Sequence, residues 1–214
     1  MPLNSLHDLY VEELKDLYNA ENQLLKALPQ MAKKATAPEL KAAFTDHLAV
    51  THTQIERLTT IFTALDVSPK GKKCKAMEGL VAEGKEVIDE TGDPAVIDAA
   101  LIASAQRVEH YEMAGYGCLR TFAHLLGYED AAKLLQETLD EEHEADKKLT
   151  VLAETIINIE ADEADDDDSD KGDEDEDEEG DEDMDEEGDE DMEEEDEEEE
   201  VAKTSKPAVK PKQK

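Results

Sequence analysis

Four acidic residues occupy positions where an apolar side chain is expected. Glu21, Glu112, Glu142 and Asp146 fall on lines of Leu, Val, Ala and Tyr that recur every three or four residues. A carboxylate carried unpaired into a dry helical interior costs several kcal/mol, so it takes up a metal ion, a cation or a proton. Helical bundles use this placement for two-metal centres: one Glu from each of two helices and a paired-ligand motif from each of the other two. Carboxylate oxygens suit hard cations such as Mn²⁺ and Fe²⁺, and an imidazole favours iron. Two such ions side by side bind dioxygen or peroxide, or oxidise and store iron. The competing arrangement is structural: each Glu turns to the rim of its helix and pairs with Arg57, Arg107 or Arg120.

The paired-ligand motif is incomplete. Glu142 and Asp146 are four residues apart and share a helical face, with Glu141 and His143 beside them pointing outward. A carboxylate is expected near residue 50 of the second helix, and Val50 stands there; His47, Thr51 and Gln54 are the polar groups left on that side. His7, His52, His110 and His124 read as surface or rim residues. Asp166, Asp168 and Asp170 imitate the start of a calcium loop, but Lys171 holds the position of the turn glycine and no apolar helices flank it, so that motif is set aside.

The elements that must hold these acids are helices. No sustained alternation of period two occurs, and four long segments show spacing of three and four. The first runs from about Ser5 to Ala35, with Tyr10, Leu14, Leu17, Glu21, Leu24, Leu28 and Met31 inward and Pro29 expected to kink its end. The second runs from about Ala37 to Leu65; Thr36-Ala37-Pro38-Glu39 reads as a capping box, and Phe44, Leu48, Thr51, Ile55, Leu58 and Phe62 form its inward line. The third, from about Pro94 to Leu126, starts at Asp93-Pro94 and stops at Gly127. The fourth, from about Glu129 to Ile159, carries Leu135, Leu139, Glu142, Asp146, Leu149, Leu152 and Ile156. A shorter helix over 75–90 lies in the one long connection, 66–93. Short joins make the first pair and the last pair antiparallel hairpins. The expected fold is therefore all-α: a ferritin-like four-helix bundle with a short extra helix in the long crossover. A faint repeat at a shift of 91 residues, pairing Glu21 with Glu112 and Leu28 with Leu119, agrees with two related hairpins.

Charge divides the chain further. Of 59 acidic and 22 basic residues in 214, residues 161–200 hold 31 acids and one Lys, and 201–214 hold five Lys and no acid. Residues 1–160 are the expected bundle domain, 161–200 a disordered acidic tail built on a repeated octad, and 201–214 a short basic disordered end. The basic end resembles the lysine-proline-alanine ends of chromatin-type tails, or folds back on the acids before it. The tail is suited to cations and basic proteins, and direct nucleic-acid binding is not expected of so acidic a chain. No apolar run reaches the ~18 residues a membrane span needs. Met1-Pro2-Leu3-Asn4 lacks a basic end followed by an apolar stretch, so a cytoplasmic location is expected. Cys74 and Cys118 are too few and wrongly spaced for a disulfide framework or a zinc site.

Specific stretches carry a resemblance. LYNAENQLLKALPQMAKKA (17–35), LKAAFTDHL (40–48), QIERL (54–58), CKAMEGLVAEG (74–84), AALIASAQRVEHYEMAGYG (99–117) and LLQETLDEE (134–142) resemble the YciF/YciE-type ferritin-like proteins of bacteria, which are linked to stress responses. The resemblance covers nearly all of residues 3–156. It implies a ferritin-like bundle, a homodimer and a two-metal site of iron or manganese. Position by position, it places the acidic centre on Glu21, Glu109, Glu112, Glu142 and Asp146, with His47 and Gln54 as shared donors. Members of that family usually have a Glu where this chain has Val50, which removes one carboxylate from the implied centre. Two functions follow: a metal-binding stress protein, with or without oxidase or peroxide-consuming activity, or a structural and interaction protein on the same scaffold whose site has decayed. Outer Leu and Met positions on the first helix and on 75–90 are compatible with a dimer.

Overall fold

The chain, seen in a computed structural model, is described over residues 3–169. Its elements are α1 (Leu6–Lys34), α2 (Pro38–Ala64), α3 (Lys75–Asp89), α4 (Pro94–Leu126), α5 (Glu129–Leu152), one π-helical turn (Ala153–Ile157) and α6 (Asn158–Ser169). There is no strand among the described residues, and no helix there is long and apolar enough to cross a membrane. The sequence-based element order is therefore observed. The Ser5 hydroxyl accepts the Asp8 N–H at 3.0 Å and opens α1. Gly127 closes α4 at φ 78°, the left-handed conformation in which a side chain is strained.

Two expectations at helix ends are corrected. The capping box at 36–39 does not form: α2 opens after Ala37, with no side-chain cap from its own sequence. Asp98 of α4 supplies the acceptor instead. Its carboxylate receives the Thr36 N–H at 2.9 and 3.1 Å, the Thr36 hydroxyl at 2.7 Å and the Ala37 N–H at 2.7 Å. These donors precede the first helical residue, so Asp98 fixes the entry of the chain into α2, and its negative charge also meets the positive end of the helix dipole. The fourth helical segment does not fade at residue 159 but runs on to Ser169. A π turn holds more residues per turn than an α turn, so it shifts the buried line: Ala153 and Ile157 are buried, while Leu152 and Ile156, the expected pair, are half-buried. Asp166 and Asp168 therefore lie on helical backbone rather than in a loop. Most of the acidic segment and the basic end, residues 170–214, lie outside the described residues.

The helices form a closed ring. α1 packs on α2 and on α4, α5 packs on α4 and on α2, and α3 lies over α1 and α4. Gly115 allows α4 to lie close against Leu17 of α1: a Cβ there would sit 2.9 Å from Leu17 Cδ2. The start of α3 is held by polar contacts as well as by the burial of Cys74 and Met77 in the core. The Cys74 N–H donates to Asn19 Oδ1 at 2.8 Å, Gln23 Nε2 donates to the Cys74 carbonyl at 3.0 Å, and the thiol lies 3.0 Å from the Tyr111 hydroxyl.

The apolar interior falls into two clusters. One gathers Leu24, Leu28, Leu40, Phe44, Leu101, Val108 and Leu149. The other gathers Tyr10, Leu14, Leu58, Phe62, Tyr116, Leu119 and Leu135. On each of the four long helices the residues between the two clusters are polar: Glu21 on α1, Thr51 and Gln54 on α2, Glu109 and Glu112 on α4, Glu142 on α5. All six are buried. The core is thus two oily halves separated by a polar layer.

Candidate metal centre

Each helix brings its part of that layer inward because leucines one or two turns away on the same face are committed to the core. His47, Glu109, Glu112 and Glu142 each offer one ligand atom, and these atoms lie within 4.8 Å of one another. His47 Nε2 is 3.5 Å from Glu109 Oε1 and 3.8 Å from Glu142 Oε2. Gln54 Nε2 donates to Glu142 Oε1 at 2.5 Å and reaches Glu141 Oε2 at 3.3 Å. Glu21 is fully buried and accepts a hydrogen bond from the Tyr116 hydroxyl.

The other atoms of the layer are unusual in having nothing to bond. Glu21 Oε2, Glu109 Oε2, both oxygens of Glu112, Glu142 Oε2, His47 Nε2 and Gln54 Oε1 are buried without a hydrogen-bond partner. Buried polar groups in folded proteins are nearly always satisfied, so such a gathering calls for an explanation. Burial is the main cause that drives the carboxyls of Glu21, Glu112 and Glu142 well above the usual range, and neighbouring carboxylates add to it. Glu109 is pushed up to about 7, again chiefly by burial. Loss of water penalises the charged form, and like charges sharing one site penalise it further. A divalent cation answers both costs at once. The oxygen-rich, single-imidazole donor set fits iron or manganese.

The seven residues expected from the sequence are not all brought together. His47, Glu109, Glu112 and Glu142 form the cluster, and Glu21 and Gln54 are buried in the same layer. Asp146 is placed differently. It keeps partners at the rim, where Gln106 Nε2 donates to its Oδ1 at 3.0 Å and His110 Nε2 lies 3.3 Å away. On α2 the buried face is turned from the expected line: Gln54 is buried and Ile55 half-buried, because the amide bonds Glu142. The arginines do not neutralise the buried acids. Arg57 makes a two-pronged pair with Glu141, Nη1 to Oε2 at 2.6 Å and Nη2 to Oε1 at 2.7 Å, and Arg120 donates to Gln136. Residue spacing alone did not single out Glu109, although it lies three residues before Glu112 and so shares its face.

The chain and its fold have relatives among known proteins. A family model described as a domain of unknown function (DUF892) matches residues 5–162. Protein YciF of Escherichia coli (strain K12) is 47% identical over 163 residues, covering 76% of this chain and 98% of that protein. The crystal structure of the E. coli stress protein YciF superposes with a TM-score of 0.70 at 48% identity, covering 72% of this chain and 98% of that one. YcfI from Rhodopseudomonas palustris gives a TM-score of 0.67 at 43% identity over 69% of this chain and 94% of that one. A protein from Xanthomonas campestris pv. campestris, 20% identical, shares the fold with a TM-score of 0.61 over 75% of this chain and 99% of that one.

Proposed function

The chain belongs to the DUF892 family, together with the E. coli stress protein YciF, and from that premise we propose that it is a metal-binding stress protein whose polar layer holds a divalent ion. His47, Glu109, Glu112 and Glu142 are the ligands, with Glu21 and Gln54 adjoining. The observation that carries this is the set of buried oxygen and nitrogen atoms with no partner, gathered at one level of an otherwise oily bundle. Bound iron or manganese supplies redox chemistry towards dioxygen or peroxide. The residues themselves hold the ion, exclude bulk water from it through the apolar clusters above and below, and keep Glu142 oriented through Gln54. Asp146 is at the rim and Val50 contributes no oxygen, so the site as built favours one tightly held ion over two.

The test uses the full chain. After chelation, reloading with Mn²⁺ or anaerobic Fe²⁺ and dialysis in high salt to strip the acidic tail, the wild type keeps close to one ion per chain, and Glu112→Gln and Glu142→Gln keep at least tenfold less. Equal retention by wild type and both variants removes the proposal. A second function rests on Val50: a non-catalytic scaffold whose centre has decayed. In that case only Val50→Glu retains metal and the parent does not. The same proposal takes the chain to be a cytoplasmic homodimer, checked by its mass in solution, and takes 161–200 to bind cations or basic proteins, checked by a salt-sensitive interaction lost when 161–200 is removed.

A further inference from the structure

α3 carries a glycine on its buried side. Met77 and Gly84 are its two buried positions and, seven residues apart, share one face. Glycine inside a helix is disfavoured, and no close approach requires it here: a Cβ at Gly84 would meet only Ser104 Cβ, at 4.0 Å, an ordinary contact. What the pairing of Gly84 with Ser104 leaves is space. A void of ≈ 60 Å³ lies under α3, walled by Leu24, Ala27 and Met31 of α1, Val81 and Ile88 of α3 and Val108 of α4.

Size and chemistry restrict what this void can hold. It is far below the about 300–1,000 Å³ of a site for an organic ligand, and no acid or imidazole lines it to hold a cation. It has room for water, but a buried water needs about two to four polar partners. Besides Ser104, its polar side chains are Gln30 and Lys85, and both are exposed. Gln30 Nε2 already donates to the Lys26 carbonyl at 2.8 Å, and Ser104 Oγ has almost no accessible surface. Apolar cavities of this kind stay dry and take up apolar guests such as xenon. The inner wall adjoins the polar layer. Leu24 follows Glu21 by three residues and Val108 precedes Glu112 by four, the spacings that set side chains next to one another on a helix, and all four are buried.

We propose that the void under α3 takes up dioxygen and supplies it to the polar layer past Leu24 and Val108. The supply rests on the metal reading, in which dioxygen is a reactant of the bound ion; the uptake does not.

Uptake is tested on the chelator-treated full chain with ¹³C-labelled methyl groups, by methyl relaxation under raised dioxygen pressure against the same pressure of nitrogen. Paramagnetic relaxation at Leu24, Val81 and Val108 is expected to exceed that at Leu119 and Leu135, in the other apolar cluster, roughly threefold or more. Gly84→Leu, which fills the void from α3, is expected to bring those rates down to the Leu119 level, and Ser104→Val, which fills it from α4, serves if the first variant does not fold. Enhancement no greater than at Leu119, or unchanged in the filled variant, overturns the proposal and leaves the metal reading standing, because no metal is present. Supply is tested on the iron-loaded full chain: at equal metal retention, Gly84→Leu is expected to consume limiting dioxygen roughly threefold more slowly than wild type. Equal rates overturn the supply. A wild type that takes up dioxygen but retains no metal removes the supply and the metal reading together.

Discussion

Asp98 and Glu112 lie on one helix and are 1% and 0% exposed, yet their surroundings are opposite. Asp98 receives two backbone N–H groups and a hydroxyl at the start of α2. Glu112 receives none, and the negative charges of Glu21, Glu142 and Glu109 act on it. Burial alone therefore does not mark a functional carboxylate. The first acid has its charge answered by the fold, so it is part of the fold. The second has no partner within the fold, which is why the metal proposal rests on it.

Substitution separates the two. Asp98→Ala removes the acceptor for the Thr36 and Ala37 N–H groups just ahead of α2 and is expected to cost about 3 kcal/mol in urea unfolding. Glu112→Met in the metal-free chain is expected to change stability in the other direction, a gain of about 2 kcal/mol, because an apolar side chain replaces an unanswered buried acid. A loss of stability in that variant would mean that Glu112 is as structural as Asp98, and the contrast would fail.

Acidity sharpens the comparison. Glu109 titrates at about 7 in the fold against an ordinary 4.5. Between those values the folded chain keeps a proton that the unfolded chain has lost. The stabilisation is complete below about pH 4.5 and disappears as pH rises through about 7. The metal-free wild type is expected to lose up to about 1.4 kcal/mol for each pH unit in this window through this one group. Glu109→Gln is expected to flatten that slope, as measured by urea unfolding at a series of pH values, and an unchanged slope would count against the burial of Glu109 as its cause.

The smallest expected effect concerns Glu21, whose donor is the Tyr116 hydroxyl. Tyr116→Phe deletes that donor and leaves the ring packed among Leu14 and Leu119. A cost of about 1 kcal/mol is expected in the metal-free chain, with metal retention weakened less than by Glu112→Gln. If Tyr116→Phe abolished retention, Glu21 would belong among the ligands themselves.

Much of this was legible along the chain, for a reason specific to helices. A period of 3.6 residues is local, so Leu24, Leu28 and Met31 announce one buried face of α1 without knowledge of any partner, and a Glu21 interrupting that face is visible at once. Cap signals were equally local at Ser5 and Gly127. They failed at Thr36, where the acceptor comes from Asp98, sixty-two residues away in sequence. The π turn was invisible because one extra residue per turn does not alter composition. Gln54 and Glu109 were not distinguished by periodicity, because both lie at the edge of an apolar stripe, where a small rotation of the helix decides between core and rim.

The sequence by itself determined the number of helices, their hairpin pairing and three of the four acids that face one another, since spacing on a helix is a one-dimensional property. Tertiary structure decided which carboxylates were left without partners. Asp146 found Gln106 and His110, Asp98 found the start of α2, and Glu112 found neither. That outcome depends on what the neighbouring helix presents at the same height, and no single helix encodes it.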